Sequence, residues 1–521
     1  MNGAENLVHT LIEGGVDVCF ANPGTSEMHF VAALDKVPGM RCVLGLFEGV
    51  VTGAADGYYR MADRPAATLL HLGPGLANGL ANLHNARKAG SGIVNVVGDH
   101  ATEHLVLDAP LTSDIEALAR PMSGWVRTCR SATHLSRDGA EAIAQASRVP
   151  GQVATLILPA DTAWTDMPSR DTGRISLARP SLLDVAVLDA EALEQAASAL
   201  RAGGNTLLLL GGRATRAAAT QWAGRIATAT GCAVMSEFYA PRIERGAGRV
   251  AIPRLPYAVE PSLEVLRRFE RIVLVGAKAP VAFFAYPGKP GRLTRPGCEV
   301  IELAGAAHDP ATALRVLCEQ VGASAMAPAG LVARASATWP EGPLDVDGIG
   351  LLLAAAIPED AIVVDEAIST GRKFDVDTRG AAPHDWLTGM GGSIGFGLPA
   401  AIGAAIASPS RHVLALEGDG SGMYTLQSLW TMVRESLRVT VVIFANRSYK
   451  ILHGEFAQVG AGAPGKRAHD MLTLDKPDLD WCSLARGMGM EAARVTTLKQ
   501  FGDQLKRSFA IEGPSLIEVM L

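Results

Sequence analysis

The chain has 521 residues, of which 48 % are apolar and 19 % charged, and its formal net charge is −6. This length predicts roughly three domains, and the apolar share excludes a wholly disordered chain. The negative charge gives no field for nucleic acid, no apolar run approaches the ~18 residues that span a bilayer, and the first ten residues lack the basic start of a secretory signal. We therefore expect a cytoplasmic protein without nucleic-acid or membrane partners.

Cysteine and glycine usage narrow the class of protein further. The seven cysteines are scattered and never spaced as C-x-x-C, which indicates reduced thiols and points to neither a zinc site nor a disulfide framework. The 56 glycines exceed the usual ~7 % share. A backbone this rich in glycine has many places where the chain turns sharply or approaches a ligand closely.

Short apolar runs alternate with glycine or proline turns and alanine-rich stretches along the chain, which is typical of βαβ units on parallel sheets. Polar, proline-bearing connections at residues 166–184 and 327–343 divide the chain into blocks at 1–170, 185–328 and 344–521. We therefore predict three doubly wound α/β domains. The strands predicted in the first block are Val16–Phe20, Thr68–His71, Ile93–Val97 and Val153–Leu158.

The third block carries the most informative pattern. A predicted strand, Val413–Leu416, leads to the tripeptide Gly-Asp-Gly around Asp419; a helix is predicted over Tyr424–Glu435, and a second strand, Val439–Phe444, ends before Asn446. Parallel strands end at one edge of a sheet, so the carboxylate and the amide are expected to meet there. Such hard oxygen ligands suit Mg²⁺ beside a phosphate, although a lone Gly-Asp-Gly is equally an ordinary strand-end turn.

The Gly-Asp-Gly and asparagine pair resembles the diphosphate-anchoring motif of thiamine-diphosphate (ThDP) enzymes. The resemblance implies that Asp419, Asn446 and the main-chain oxygen of Ser448 bind Mg²⁺. It also implies that residues flanking these ligands contact the cofactor, namely Gly418, Gly420, Ser421, Tyr449 and Ile451. Ile451 and Leu452 are expected to shape an apolar substrate pocket, while the roles of His453 and Glu455 stay open.

A glycine-rich stretch at residues 388–406 runs into an alanine-rich segment. On residue pattern alone, this stretch could serve only close packing. In the ThDP family the equivalent stretch bends the cofactor, and the resemblance implies that Ile394 is the apolar wedge between its two rings. The carbonyl of Gly392 is then the acceptor for the 4′-amino group.

Glu48 follows an apolar run in the first block and begins a predicted helix. Without the resemblance it would be an ordinary residue at a helix N-terminus. In the family, the glutamate at this place protonates the aminopyrimidine and so promotes ylide formation. Because that glutamate and the diphosphate site belong to different subunits in the family, the resemblance implies a homodimer or homotetramer with active sites at the interface.

Two further segments of the first block resemble family loops. The turn after the first strand makes Thr25 and Ser26 candidates for holding a substrate carboxylate. His71 lies at a strand end, where benzoylformate decarboxylase and its relatives carry a histidine for proton transfer, although a structural histidine remains the alternative. A further group after another strand could line the cavity or be solvated: Asp99, His100, Glu103 and His104.

The resemblance implies a ThDP- and Mg²⁺-dependent enzyme that decarboxylates a 2-oxo acid through an ylide and an enamine and releases an aldehyde, with carboligation as a further outcome. The alternative is an acetolactate synthase large-subunit-like carboligase. Against it, the tryptophan expected shortly after Asn446 is absent; against the first reading, the central block lacks a second histidine at residues 279–288. FAD in the central block has no specific signal, and a non-catalytic nucleotide-binding homologue is the third hypothesis.

Overall fold

The structure is a computed structural model that describes residues 1–167, 178–180, 185–203 and 205–521. Three sheets, each dominated by parallel strands, follow one another along the chain, which confirms the predicted fold class. Most of the connection predicted at residues 166–184 lies outside the described residues. No described helix combines the length and the apolar character needed to cross a membrane.

The N-terminal domain is built on a six-stranded, fully parallel sheet of order β2-β1-β3-β4-β6-β5. Its central strands are buried along their whole length, as expected for a parallel sheet covered on both faces. The strands are β1 (Val18–Asn22), β2 (Arg41–Leu44), β3 (Ala66–Leu70), β4 (Ile93–Asp99), β5 (Trp125–Thr128) and β6 (Val153–Pro159). The helices are α1 (Gly3–Glu13), α2 (Met28–Lys36), α3 (Glu48–Ala62), α4 (Leu72–Ala89), α5 (Ile115–Ala119), α6 (Leu135–Ala146) and α7 (Ala160–Trp164).

The central domain has a four-stranded parallel sheet of order β11-β10-β7-β8. The strands of this part of the chain are β7 (Thr206–Leu210), β8 (Ala233–Ser236), β9 (Ile243–Arg245), β10 (Arg271–Val275) and β11 (Glu299–Ala304). The helices are α8 (Ala190–Arg201), α9 (Ala217–Thr230), α10 (Val259–Leu266) and α11 (Pro310–Gln320). Strand β9 does not belong to this sheet but joins the next one, which the sequence pattern did not predict because a strand of only three residues shows no periodicity.

The C-terminal domain contains a seven-stranded sheet of order β16-β17-β15-β14-β12-β13-β9, parallel except for the antiparallel edge strand β9. Its other strands are β12 (Ile362–Glu366), β13 (His384–Thr388), β14 (Val413–Gly418), β15 (Val439–Ala445), β16 (Glu491–Val495) and β17 (Ser515–Met520). Its helices are α12 (Val346–Ala356), α13 (Phe374–Asp377), α14 (Gly397–Ala407), α15 (Asp419–Gly422), α16 (Ser428–Arg434), α17 (Lys450–Gln458), α18 (Lys466–Leu472), α19 (Trp481–Gly487) and α20 (Leu498–Ala510).

The two outer domains meet through helices α3 and α14, which pack closely enough to bring backbone against backbone. A Cβ added to Gly57 would lie 2.1 Å from the carbonyl oxygen of Ala400, and one added to Gly403 would lie 1.9 Å from that of Ala54. Only glycine permits this approach. Because α3 begins at Glu48, this contact fixes one candidate catalytic residue relative to the C-terminal domain.

The predicted strands occur within two residues of their expected bounds, but one helix differs. The stretch 424–435, predicted as continuous helix, contains α16 only from Ser428, and turns occupy the residues before it. Gly422 permits close packing there, since a Cβ on it would lie 2.7 Å from the Trp481 ring. The chain therefore turns over Trp481 before the helix begins.

Candidate active site

Strands β14 and β15 end side by side, and their ends bring together the residues predicted to bind a metal ion. The Asp419 carboxylate accepts the backbone N–H of Arg447 at 2.6 Å, and the Asn446 side-chain oxygen accepts the backbone N–H of Ser448 at 3.0 Å. The loop after β15 is thus folded onto Asp419, as the strand-end pattern predicted.

The same loop is strained at its centre and held from outside. Arg447, between Asn446 and Ser448, has φ +54°, a left-handed conformation that non-glycine residues seldom adopt. The Ser448 hydroxyl donates to the carbonyl of Leu472 at 3.0 Å, and the Tyr449 N–H donates to the same carbonyl at 2.9 Å. Strain that neighbouring contacts maintain is typical of functional sites.

The chemistry of this donor set fits a magnesium ion. Asp419 is 2 % exposed, and burial raises its pKa to about 6, although the N–H groups of Arg447 and Gly420 and the Arg447 charge act in the opposite direction. One carboxylate, one amide oxygen and a main-chain oxygen leave coordination positions for phosphate and water, which Mg²⁺ prefers. Among the described residues no cluster of three or more His, Cys, Asp or Glu forms a denser metal site.

Glycines line the space next to this loop. Gly392 has φ +71°, and nothing lies within 4 Å of where its Cβ would be. A Cβ on Gly420, by contrast, would lie 2.6 Å from the Tyr449 ring. The Ser421 hydroxyl hydrogen-bonds the Glu417 carboxylate, and Ile394 is half-buried. The open backbone at Gly392 fits a ligand that approaches main-chain atoms, as the resemblance implies for the aminopyrimidine.

Two buried glutamates support both of these loops, and sequence reasoning missed their part in the site. Glu366, at the end of β12, accepts the N–H of Gly395 at 2.9 Å and that of Gly397 at 2.6 Å. Glu417 lies beside it at the end of β14 and accepts the N–H of Gly418 at 3.1 Å. Burial and the neighbouring Glu366 hold the pKa of Glu417 well above its usual range, so the pair retains a proton.

The N-terminal domain holds the glycine-rich loop through α4. Asn85 donates to the Ser393 carbonyl at 2.9 Å and accepts the Ser393 N–H at 3.2 Å. Asn82 donates to the carbonyls of Gly49 and Gly395 at 2.8 and 3.2 Å. The sequence analysis missed these asparagines as well. Polar residues three positions apart on a buried helix face could have indicated them.

Glu48 is the first residue of α3 and is half-buried. Its Oε2 accepts a hydrogen bond from Asn78 at 3.0 Å. A Cβ placed on Gly75 would lie 3.4 Å from both Glu48 Oε1 and the His71 Cβ. The two candidate catalytic side chains therefore flank the same glycine.

His71 directly follows β3, as predicted, and precedes α4. Its Nδ1 lies 2.7 Å from Oε2 of Glu27, whose side chain is fully buried. A Cβ on Gly24 would come within 2.3 Å of the imidazole, so that turn packs directly on the ring. Leu72, the next residue, has φ +52°, a second strained position beside a candidate catalytic group.

The remaining predicted residues lie at the borders of this region. Thr25 and Ser26 form a short 3-10 turn with Glu27, and Thr25 is exposed. In α17, which has no buried residue, Ile451 is half-buried and Leu452 is 44 % exposed. The other polar groups pair as follows: His100 with His104, ring centroids 5.2 Å apart; His453 with His469, 5.6 Å apart; and Glu455 with the Tyr286 hydroxyl, 2.9 Å apart.

Comparison with known proteins assigns a family to this arrangement. Residues 1–118 match the description "Thiamine pyrophosphate enzyme, N-terminal TPP binding domain", and residues 376–519 match "Thiamine pyrophosphate enzyme, C-terminal TPP binding domain". The N-terminal match contains Glu48 and His71, and the C-terminal match contains Asp419 and Asn446.

Whole-chain relatives agree with these matches. The chain is 50 % identical to "Putative acetolactate synthase large subunit IlvX" of Mycobacterium tuberculosis, with 100 % of this chain and 99 % of that protein covered. It is 31 % identical to benzoylformate decarboxylase of Pseudomonas aeruginosa, with 97 % and 96 % covered. The solved structure of a ThDP-dependent 4-hydroxybenzoylformate decarboxylase of Rhodococcus jostii RHA1 superimposes with a TM-score of 0.83 at 25 % identity, covering 100 % and 99 %.

These matches span the whole chain, and the residues that the ThDP resemblance singled out lie inside them. The chain therefore belongs to the thiamine-diphosphate-dependent enzymes, in the group of the 2-oxo acid decarboxylases and acetolactate synthases.

Proposed function

We propose that the protein catalyses the ThDP- and Mg²⁺-dependent, non-oxidative decarboxylation of a 2-oxo acid and releases an aldehyde. The observation that supports the decarboxylase assignment is the position of His71 between Glu27 and Glu48. Its Nδ1 is engaged by Glu27, and it meets Glu48 over Gly75. An imidazole held in this way is suited to act as a general acid.

Two groups of residues would hold the metal ion and the cofactor. Asp419, Asn446 and the Ser448 carbonyl would hold Mg²⁺, and the glycine loop at Gly392 would receive the aminopyrimidine ring beside Glu48. When bound, ThDP supplies the electron sink that makes loss of CO₂ from a 2-oxo acid possible.

The substrate side is assigned to other residues. Thr25 and Ser26, in the turn that packs on His71, would hold the substrate carboxylate. His71 then donates a proton to the carbon that has lost CO₂, which frees the aldehyde. FAD is not part of this proposal.

Carboligation to an acetohydroxy acid is the second candidate function. It is supported by the relative that is 50 % identical, which is named "Putative acetolactate synthase large subunit IlvX". In that reaction the carbon that has lost CO₂ attacks a second 2-oxo acid and is not protonated. The two functions differ only in which electrophile reaches that carbon first.

We further propose that the active form is a homodimer or a homotetramer. Apolar side chains project from the carboxyl-end edge of the N-terminal sheet: Val106 is 84 % exposed, Leu107 67 % and Leu46 43 %. Helix α17 also has no fully buried residue within the chain. A second copy placed against these surfaces would shield them from water, and sedimentation analysis with and without ThDP measures this association.

The deciding experiment follows CO₂, aldehyde and acetohydroxy acid from a panel of 2-oxo acids with ThDP and Mg²⁺. The panel contains pyruvate, 2-oxobutyrate, phenylglyoxylate and 4-hydroxyphenylglyoxylate. Stoichiometric aldehyde supports the decarboxylase, whereas acetolactate from pyruvate supports the second candidate. Verified ThDP binding without CO₂ release from any acid would contradict both.

A further inference from the structure

Glu27 is a buried carboxyl group to which neither the sequence pattern nor the comparisons assign a role. Its side chain is 0 % exposed, and its Oε2 accepts the backbone N–H of Gly24 at 2.8 Å while lying 2.7 Å from His71 Nδ1. The side chain of His71 is 22 % exposed, so one edge of the ring faces the protein and the other faces open space.

The second oxygen of this carboxyl group has no partner. Glu27 Oε1 is buried without a hydrogen bond among the described residues, and it lies against Gly98, where a Cβ would come within 1.6 Å of it. The residue after Gly98 is Asp99, itself 8 % exposed. Glu27 thus lies between the imidazole on one side and the end of β4 on the other.

The charged and titratable groups around Glu27 are few. His71 faces Oε2, while Asp99, with His100 and Asp161 next to it, lies beyond Gly98. Burial is the main reason that the pKa of Glu27 is raised, with His71 and the Gly24 N–H acting in the opposite direction. Burial also raises the pKa of Asp99, and Asp161 and Glu27 contribute to that rise. A proton shared with His71 therefore relieves the charge on Glu27.

The geometry also selects one tautomer of the imidazole. A carboxylate oxygen that already accepts the Gly24 N–H can only accept from Nδ1, so Nδ1 must carry a hydrogen. Nε2 is then the atom that faces away from Glu27, and no hydrogen-bond partner for it occurs in the described part of the chain. A neutral imidazole free in water instead favours hydrogen on Nε2, so this arrangement requires Glu27.

We propose that Glu27 is the positioning residue of His71: it holds hydrogen on Nδ1, shares the proton of the pair, and presents Nε2 as the proton donor. The proposal rests on the function proposed above. During aldehyde release the N–H bond at Nε2 breaks and a C–H bond forms at the carbon that has lost CO₂. The donor is therefore the imidazolium form of His71, with hydrogen on both ring nitrogens. Donation leaves the neutral imidazole, whose Nδ1 keeps its hydrogen and donates it in a hydrogen bond to the Glu27 carboxylate, and a proton from water at Nε2 restores the imidazolium.

The test compares Glu27→Gln, which keeps an acceptor oxygen but removes the charge, with Glu27→Leu, which removes both. Glu13→Gln is the matched control, because Glu13 is an exposed carboxylate at the end of α1 in the same domain. Thermal unfolding of each variant shows whether it folds; if Glu27→Leu does not fold, Glu27→Gln decides the question.

The first readout is independent of activity. Nitrogen NMR of isotope-labelled histidine reports the tautomer of His71 in the full-length protein, and the signal that disappears in His71→Gln assigns it. We expect hydrogen on Nδ1 in the wild type and in Glu13→Gln. In Glu27→Leu, which removes the acceptor, we expect it to move to Nε2, whereas Glu27→Gln keeps an acceptor oxygen and is judged by the second readout. An unchanged tautomer in folded Glu27→Leu would overturn the proposal.

The second readout is the fate of the substrate. We expect Glu27→Gln to lower kcat for aldehyde release about tenfold or more with little change in KM, since general acid catalysis contributes roughly 10²–10⁴-fold. The share of carboligation product should rise, because the unprotonated carbon survives longer. An unchanged product ratio together with an unchanged kcat would overturn the catalytic part. If the wild type acts on no 2-oxo acid, the proposed function fails, while the tautomer still reports on Glu27.

Discussion

Asn85 and Ser393 are joined by two hydrogen bonds, although they lie in different domains. The Asn85 amide donates to the Ser393 carbonyl and accepts the Ser393 N–H. The side chain thus pairs with both backbone groups of Ser393, as a neighbouring β-strand would, although Ser393 lies in a loop. Ser393 is flanked by Gly392 and Ile394, which the family resemblance assigns to the cofactor. The N-terminal domain therefore shapes the cofactor loop of its own chain.

We expect Asn85→Ala to weaken ThDP binding about tenfold. The variant leaves the carbonyl and N–H of Ser393 without protein partners, and unpaired buried polar groups cost about 1–3 kcal/mol. Titration of the apoprotein with ThDP in Mg²⁺ measures the effect. Gln145→Ala, which removes one hydrogen bond to Gln152 elsewhere in the domain, serves as the control. Equal ThDP affinity in both variants would contradict the role of this contact.

Glu48→Gln should abolish turnover while the protein still binds its cofactor. The change removes one acidic proton but keeps the length of the side chain and its contact with Asn78. We expect kcat to fall at least about a hundredfold, in line with the contribution of acid–base groups. ThDP affinity and thermal stability, measured on the same samples, should stay close to those of the wild type. Unchanged turnover of every 2-oxo acid would refute the proposed role.

Asp419→Asn should lose the Mg²⁺-dependent retention of ThDP. The amide cannot supply the negative charge, and its NH₂ group would face the N–H of Arg447 or of Gly420 if it rotated. We expect ThDP affinity in Mg²⁺ to fall at least about tenfold, measured after gel filtration.

Asp478→Asn is the matched control for this prediction. Asp478 is half-exposed and 3.8 Å from Arg447, so an equal charge is removed beside the same loop. A variant at Asp419 that retains ThDP as well as this control does would argue against a metal ion at this position.

The sequence was sufficient to predict the residues that end strands. Each of four candidate residues follows an apolar run: Glu48 and His71 in the N-terminal domain, and Asp419 and Asn446 in the C-terminal domain. Within each sheet, parallel strands bring such ends to the same edge. Glu366 ends β12 in the same way and could have been found by the same signal.

The contacts of Asn85 and Glu27 could not be predicted from the sequence, for a physical reason. The partners of Asn85 are backbone groups 308 positions away, and the partner of Glu27 is 44 positions away. Strand β9 was unpredictable for a similar reason: a three-residue segment pairs with β13 only because the central and C-terminal domains are in contact. Contacts between distant segments leave no periodic pattern in either segment.

Gly403→Ala should destabilise the protein and lower activity together. The new methyl group would lie 1.9 Å from the Ala54 carbonyl, so α3 and α14 must separate. Overpacking of this kind costs about 1–3 kcal/mol. Because α3 begins at Glu48, its displacement also moves a candidate catalytic group.

Gly487→Ala provides the comparison for this prediction. Gly487 ends α19, and nothing lies within 4 Å of the added methyl group. Alanine in a helix is favoured over glycine by about 0.5–1 kcal/mol, so this variant should match or exceed the wild type in thermal stability. If both variants unfold at the same temperature, the close approach of α3 and α14 does not contribute to stability.

Acid should destabilise the C-terminal domain through its buried histidines. His384 is 0 % exposed, its Nδ1 lies 2.6 Å from the Ala382 carbonyl, and burial with the nearby Arg245 lowers its pKa from 6.5 to about 3. Between these two pKa values, His384 therefore binds a proton in the unfolded chain but not in the folded chain. The resulting stability is complete above pH 6.5 and is lost as the pH falls toward about 3.

Each such histidine should contribute a loss of about 1.4 kcal/mol per pH unit within that window. His412, whose pKa burial lowers to about 4, adds to the effect over a narrower range. We expect His384→Asn, whose side chain carries no charge at any pH, to be less stable at neutral pH. Its unfolding temperature should then fall less than that of the wild type between pH ~7.5 and ~5, because the variant has one titrating group fewer. Parallel losses in the two proteins would show that His384 does not titrate on unfolding.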